Sequence, residues 1–339
     1  MQSSPLVSIV IVYWNNAGYL HDCLDCLSRQ TFQDFEILII DNGSTDSGLD
    51  HLEEKYPQLK LLIERLPENK GFAWANNLGA KLARGTWLAL LNTDAFPKPE
   101  WLEKLLDASS RYPEFTFFSS RQIQYHQPDI LDGAGDEYHI SGLAWRRFYN
   151  YPSEHYGWKE EEVFSACAAA ALYKREDFLK VEGFDESYFS YIEDVDLSFR
   201  LRLAGKRCMY VPDAVVHHVG SASTGKTSNF AIYHGHRNLV WTFFKNMPGL
   251  LFWLYLPLHI LINVLFVASF LLKRRGTTIL RAKWDALYCL PDIIRQRTKI
   301  QSTRKVSIRK IWQVMNRGLF APYTVTRHPR RGVRAEKAP

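Results

Sequence analysis

Leu6-Val7-Ser8-Ile9-Val10-Ile11-Val12-Tyr13 decides the fold. The run is short, β-branched and without a polar face, as expected of a strand buried on both faces of a parallel sheet. A helix is expected next over 19–30. The alternation then repeats, with strands at 35–40, 59–64 and 87–91 and helices at 47–55 and 72–83. Strands alternating with helices predict right-handed βαβ units and a mostly parallel, doubly wound α/β sheet.

In such sheets ligands bind beyond the carboxyl ends of the strands. There the sequence places Trp14-Asn15-Asn16, then Asp41-Asn42-Gly43-Ser44-Thr45-Asp46, then Asn92-Thr93-Asp94. Asn, Asp, Gly and Ser also make turns and helix caps, which accounts for residues 42–47. It accounts poorly for Asp41 and Asp94, because each ends an apolar strand where a bare carboxylate needs a partner. Further on, Tyr191-Ile192-Glu193-Asp194-Val195-Asp196-Leu197 opens a helix running to about residue 204. Acids in a first helical turn are favoured by the dipole, but Glu193, Asp194 and Asp196 together exceed that need. A strand over 207–211 leads through Pro212 and Asp213 to the pair His217-His218, candidate ligands at the end of an apolar run.

Composition bounds the rest. The 339 residues are 46% hydrophobic with a net charge of +6, enough for one large α/β domain with an appended segment. Residues 273–339 hold 18 Lys and Arg against three acids, so this tail carries +15 and the preceding 272 residues −9. A basic element facing a polyanion, attached to a body that is not basic, follows. Five cysteines are an odd number and fit a reducing compartment rather than a disulfide framework. Cys23 and Cys26 form a C-x-x-C, but they share a helix face with Leu20, Leu24 and Leu27 and are expected to pack there. Met1 to Pro5 lack the basic and then apolar run of a signal peptide. Residues 249–272 contain no Asp, Glu, Lys or Arg and are long enough to span a bilayer. Pro257, His259 and Asn263 interrupt them, and Lys273-Arg274-Arg275 follow at once. A single span from a cytosolic body would place the basic tail outside, against the positive-inside tendency. A re-entrant or interfacial hairpin with the tail on anionic headgroups is therefore expected, with a buried core helix as the alternative.

Six blocks in order carry a resemblance: Val-Ser-Ile-Val-Ile-Val-Tyr-Trp-Asn at 7–15, Asp-Asn-Gly-Ser-Thr-Asp at 41–46, Asn-Lys-Gly-Phe-Ala-Trp-Ala-Asn-Asn-Leu-Gly at 69–79, Leu-Asn-Thr-Asp at 91–94, Tyr-Ile-Glu-Asp-Val-Asp-Leu-Ser-Phe-Arg at 191–200 and Pro-Asp-Ala-Val-Val-His-His at 212–218. Over residues 7–246 the chain resembles the inverting family 2 glycosyltransferases with the A-type fold, and within them the rhamnosyltransferase-like branch. The resemblance implies a hexosyltransferase acting on a nucleotide-sugar donor, either a dTDP- or a UDP-sugar. It implies donor contacts from Tyr13, Asn15, Asp41, Asn42, Lys70, Gly71, Asn76, Asn77, Asn92 and Asp94. Asp94 and His218 would bind Mg²⁺ or Mn²⁺, although Asn92-Thr93-Asp94 lacks the first aspartate of a full Asp-x-Asp. Asp194 would be the base that deprotonates the acceptor hydroxyl, with Asp132, Glu193 and Asp196 supporting the site or orienting the acceptor. Leu131-Asp132-Gly133-Ala134-Gly135-Asp136 and the small-residue run at 167–171 look like the branch that uses dTDP-rhamnose.

The expected organisation is a catalytic domain at 1–246, with a nucleotide half to about 120 and an acceptor half at 121–246, followed by a membrane-associated segment at 247–339. The expected acceptor is a lipid-linked or polysaccharide glycan in bacterial cell-surface synthesis, at the cytoplasmic face of the plasma membrane. Trp284, Tyr288, Trp312 and Tyr323 in the tail suit a helix lying in headgroups, so an anionic membrane surface rather than nucleic acid is the expected partner. Two rivals stand beside this reading. Gly220-Ser-Ala-Ser-Thr-Gly-Lys226-Thr227 satisfies the phosphate-loop pattern of nucleoside triphosphatases, but only three acids remain beyond the apolar segment to supply such a domain. A non-catalytic, membrane-tethered sugar-binding protein should have lost Asp94 or Asp194, and both are present.

Overall fold

A computed structural model of the chain describes residues 4–220, 228–318 and 321. The first half follows the rhythm of the sequence: β1 (Val7–Tyr13), α1 (Ala17–Ser28), β2 (Phe35–Asp41), α2 (Leu52–Lys55), β3 (Leu61–Arg65), α3 (Phe72–Leu82) and β4 (Trp87–Leu91). Then come β5 (Ala95–Pro97), α4 (Trp101–Arg111), β6 (Phe117–Gln124), β7 (Gln127–Ala134), β8 (Asp136–Tyr138), β9 (Ala144–Arg146), β10 (Glu161–Val163), β11 (Ala170–Lys174), α5 (Arg175–Lys180), α6 (Glu193–Leu203) and β12 (Cys208–His218). The remainder is helical: α7 (Asn229–Asn246), α8 (Gly249–Leu272), α9 (Gly276–Tyr288), α10 (Leu290–Ser302) and α11 (Ile308–Val314).

The main sheet runs β10-β12-β6-β11-β4-β1-β2-β3, with β5 beside β12 and β7 beside β6. The strands β4, β1, β2 and β3 are mutually parallel, and the register sets Tyr13 opposite Asp41 at the carboxyl rim. Beyond β4 the sheet turns mixed, because β11 lies antiparallel between β4 and β6. The sheet is covered on both faces. One core joins α1 and α4 to the sheet through Leu20, Leu24, Leu27, Trp101 and Leu105. The other brings in Ala73, Ala80, Phe178, Leu197 and Leu201 from α3, α5 and α6. Cys23 is buried on the α1 face with those leucines, and burial pushes its thiol well up, as packing demands and metal ligation does not.

Two sequence expectations are corrected here. The helix at 47–55 shrinks to Leu52–Lys55, because Asp46 accepts from the amides of Ala17 and Gly48 and holds the preceding residues in turns. The strand at 207–211 extends to His218, since Pro212 and the exposed Asp213 fall in a register shift between Val211 and Val215 instead of ending it.

The apolar segment is also not a hairpin. α8 is one continuous helix with Pro257 inside it. A proline removes one backbone bond, at about 3 kcal/mol, whereas a turn in so apolar a stretch would leave several polar groups to satisfy. Leu251, Phe252, His259 and Ile262 are buried; Leu251 and Phe252 share a core with Phe243 of α7, Met247 just beyond it and Phe199 of α6, and His259 stacks on Phe243. The opposite face is bare: Leu250, Trp253, Leu254, Ile260, Leu261 and Val264 are all exposed. α9 continues this surface with Leu280, Trp284, Leu287 and Tyr288.

Candidate active site

A cavity of about 350 Å³ opens at the carboxyl rim, where β1, β2, β4 and β12 end against the start of α6. Asn42, Asn92, Asp94, Asp194 and His218 all line it. They arrive from separate strands and a helix because strand ends converge where the sheet changes from parallel to mixed.

Asp94 and His218 meet there. His218 Nε2 lies 3.4 Å from Asp94 Oδ1, and its Nδ1 lies 2.7 Å from Asp132 Oδ2. Asp132 is itself ion-paired with Arg146. Burial alone would lower the His218 pKa, but the two carboxylates outweigh it and raise the value above the usual imidazole range. A carboxylate, and an imidazole oriented from behind by a second carboxylate, form a donor set that fits Mn²⁺ or Mg²⁺.

Asp194 comes from the first turn of α6, behind a strained entry. Phe189, Tyr191 and Ile192 have φ of 64°, 69° and 68°, a region that a β-branched residue rarely enters. The strain aims Asp194 into the cavity, where its Oδ2 accepts from the Ala168 amide at 3.1 Å and its Oδ1 from the Val195 amide at 2.8 Å. Burial pushes this carboxyl up, against the backbone donors and Arg146, which pull it down. Asp136 stands beside it and is pushed well above the carboxylate range by burial and by the Asp194 charge. Asp136, Cys167 and Asp194 each place a potential ligand atom within 4.8 Å of the others. Burial drives the Cys167 thiol up to about 12, which makes this trio a poor match for a hard cation and leaves Asp94 and His218 as the better site.

The parallel rim is a locked layer of loops. Tyr13 donates its hydroxyl to Asp46. Asn15, at φ 48°, accepts at Oδ1 from the Thr45 amide at 2.7 Å. Asp41 Oδ1 accepts from the Ser44 amide at 2.9 Å. Asn42 donates to Asn69 Oδ1 and accepts from the Lys70 amide, each at 2.9 Å. The Lys70 ammonium lies on Glu68, and a Cβ on Gly71, whose φ is +92°, would stand 2.6 Å from the Phe189 ring. Gly71 is therefore where the donor-side loop and the α6 approach touch.

Residues 8–181 match the glycosyl transferase family 2 model, over half of the chain. The chain belongs to glycosyl transferase family 2. It is 31% identical over 260 residues to the N-acetylglucosaminyl-diphospho-decaprenol L-rhamnosyltransferase of Mycobacterium tuberculosis, covering 68% of this chain and 82% of that protein. It is also 31% identical over 206 residues to the chondroitin synthase of Escherichia coli, covering 59% of this chain but 27% of the synthase. Among solved structures, GalNAc-T7 with UDP, GalNAc and Mn²⁺ superposes with a TM-score of 0.57 at 17% identity, over 71% of this chain and 48% of that one. A mannosyltransferase from Pyrobaculum calidifontis, PcManGT, with GDP-Man and Mn²⁺, superposes at 0.53 and 16% identity over 92% and 88%. The fold is thus the nucleotide-diphospho-sugar transferase fold of the A type, and the protein is a glycosyltransferase.

Within this family 2 fold, some residues singled out in the sequence lie away from the cavity. Asp196 is fully buried and bonded to Arg200, Lys245 and Asn246 at 2.7–2.8 Å, tying α6 to α7 instead of facing an acceptor. Asn77 is occupied by Phe184 and Glu186, and Asn76 by the Phe72 carbonyl of its own helix. Asp132 stands behind His218. Glu193 does line the cavity, buried, with its Oε2 meeting no hydrogen-bond donor among the described residues. Most of the phosphate-loop pattern, 221–227, lies outside the described residues.

Other lining residues escaped sequence reasoning: Arg146, Trp145, Phe189 and Phe230. Asp136 belongs with them, quoted earlier only as the end of a branch signature. The one signal pointing to it was that signature, which ends one residue after a glycine at φ 77°.

Proposed function

We propose that this glycosyltransferase moves L-rhamnose from dTDP-rhamnose, with inversion, onto a lipid-linked acceptor in cell-surface glycan synthesis at the cytoplasmic face of the plasma membrane. The observation that carries the reading is the grouping in one cavity of Asp194, a half-buried carboxylate held by two backbone amides, with the Asp94 and His218 pair.

Asp194 takes the proton from the acceptor hydroxyl as its oxygen bonds to the anomeric carbon, on the side opposite the departing diphosphate. Its raised affinity for protons strengthens it as a base. Mg²⁺ or Mn²⁺ held by Asp94 and His218 would supply Lewis-acid stabilisation of the charge on the leaving diphosphate. Asn42 and Asn92 face the donor from the cavity wall, and the layer of Tyr13, Asn15, Asp41, Lys70 and Gly71 forms the nucleotide rim. Glu193 offers the acceptor a free carboxyl oxygen. Residues 1–246 act as the catalytic unit, the donor half to about 120 and the acceptor half beyond it. The segment at 247–339 lies against an anionic lipid surface with the bare face of α8 and α9 in the headgroup layer. The rhamnose donor and a polyprenyl-diphosphate acceptor are favoured by the likeness to the mycobacterial rhamnosyltransferase.

The test is sugar release and transfer by purified protein with Mg²⁺ or Mn²⁺ across a panel of nucleotide sugars, with ATP as a control. Turnover of dTDP-rhamnose supports the proposal, and turnover of another dTDP- or UDP-sugar instead moves the donor. ATP hydrolysis without sugar turnover would sink it in favour of the loop at 220–227.

A further inference from the structure

His259 is anomalous. It is a polar side chain in the middle of the largely apolar α8, yet it is 3% exposed while its helical neighbours Ile260 and Leu261 are more than half exposed. Its ring stacks on Phe243 at 4.0 Å, with 5° between the planes. Nδ1 lies 2.7 Å from the Ser141 carbonyl, and Nε2 lies 3.2 Å from the Asn263 side-chain nitrogen. A carbonyl only accepts, so Nδ1 carries the proton and donates, and Nε2 accepts from Asn263. Both nitrogens are satisfied in one orientation.

The carbonyl it holds belongs to the turn of the β8–β9 hairpin. Gly142, next in that turn, has φ of +86°, and a Cβ there would stand 2.6 Å from His259 Nδ1 and 2.9 Å from the Phe243 ring. The turn is therefore seated on the histidine as closely as a glycine permits. At the open end of the hairpin, Asp136 pairs with Arg146 across the strands, and both line the cavity together with Ala144 and Trp145. Arg146 in turn holds Asp132 behind His218. A contact on α8 thus sets the height of the hairpin that forms one wall of the site.

We infer that His259 is a positioning residue for transfer, acting through Ser141 and the β8–β9 hairpin to hold Asp136, Trp145 and Arg146 at the acceptor side of the cavity. The inference rests on the proposed function only in taking that cavity as the transferase site. It gives the inner face of α8 a role in the chemistry, whatever its outer face touches.

The test uses the full chain in detergent, with Mn²⁺, dTDP-rhamnose and a synthetic polyprenyl-diphosphate N-acetylglucosamine. His259→Ala is expected to lower transfer roughly tenfold, because small misplacements of a site wall are amplified in rate. Mn²⁺-dependent dTDP binding should weaken less than transfer, since the donor rim does not touch the hairpin turn and the metal site is reached only indirectly, through Arg146 and Asp132. His259→Asn, whose amide can donate to Ser141, should recover most of the loss. Gly142→Ala, which pushes on the same contact from the other side, should repeat the His259→Ala defect. Transfer by His259→Ala within about twofold of wild type would overturn the inference. Loss of dTDP binding in step with transfer, or no recovery by asparagine, would also overturn it. A wild-type chain that transfers no sugar from any donor would instead sink the proposed function, and so the two failures are distinguishable.

Discussion

His218 Nδ1 lies 2.7 Å from Asp132 Oδ2, a contact between residues 86 positions apart that fixes which ring nitrogen turns toward Asp94. With Nδ1 committed to the carboxylate, Nε2 is presented toward Asp94 at 3.4 Å. Residues that orient a ligating imidazole typically change metal affinity ~10–100-fold when removed. Asp132→Asn should therefore shift the Mn²⁺ concentration for half-maximal activity upward by about that factor, with maximal activity at saturating Mn²⁺ reduced less. An unchanged Mn²⁺ titration would show that the pair does not orient a ligand. Asp132→Ala should also lower stability, because it leaves the Arg146 guanidinium without its buried carboxylate.

Asp194→Asn should reduce transfer by ~10²–10⁴-fold while dTDP-rhamnose binding remains, because the amide keeps the volume but takes no proton. The pH profile should agree in sign. Burial raises the Asp194 pKa, so the basic form is lost as pH falls through that raised value, and the acidic limb should lie above the ordinary aspartate range. An acidic limb that stays in place in a slow but active Asp194→Asn enzyme would assign the base elsewhere.

The parallel half of the fold was legible because strands buried on both faces read as unbroken apolar runs, and the expected strand at 87–91 coincides with β4. The end of β12 was not, since Pro212 and Asp213 carry a breaker's chemistry but sit in a bulge. At the site, Asp94, Asp194 and His218 could be picked out as acids or imidazole ending an apolar run or opening a helix. Asp196 was not separable from them in the sequence, because the Lys245 and Asn246 of α7 that engage it are brought there only by tertiary packing. Arg146 was invisible, because β9 is three residues long and only tertiary pairing brings it opposite Asp136.

Asp136 carries a separate prediction about stability. Its folded pKa is raised well above its ordinary value, by burial first and then by Asp194. The stability tied to such a group is fully present below the unfolded pKa and is lost as pH rises through the folded one. Asn mimics the protonated form, so Asp136→Asn should unfold at a higher temperature than wild type at pH 8, and the difference should vanish near pH 4. Equal melting temperatures at both pH values would mean that the carboxyl is relieved in some other way, for example by a bound cation at the site.

The bare face of α8 and α9 carries the last prediction. Trp253 is 68% exposed and Trp284 70%, on neighbouring helices, and basic residues follow closely in Lys273, Arg274, Arg275 and Arg281. Large apolar side chains stabilise an interfacial helix by ~1.5–3 kcal/mol each when they leave water, and nearby Lys or Arg adds about 1 kcal/mol apiece on an anionic surface. Trp253→Glu with Trp284→Glu should therefore weaken sedimentation with phosphatidylglycerol vesicles by about a hundredfold. Transfer to a short, water-soluble acceptor should be preserved, because neither side chain is among the residues that line the cavity. Salt separates the two contributions: 0.5 M NaCl should weaken wild-type binding to anionic vesicles, yet leave the residual binding to neutral phosphatidylcholine vesicles nearly unchanged. Binding that is insensitive to both the tryptophan pair and salt would remove this face from the membrane and leave it to cover another protein surface.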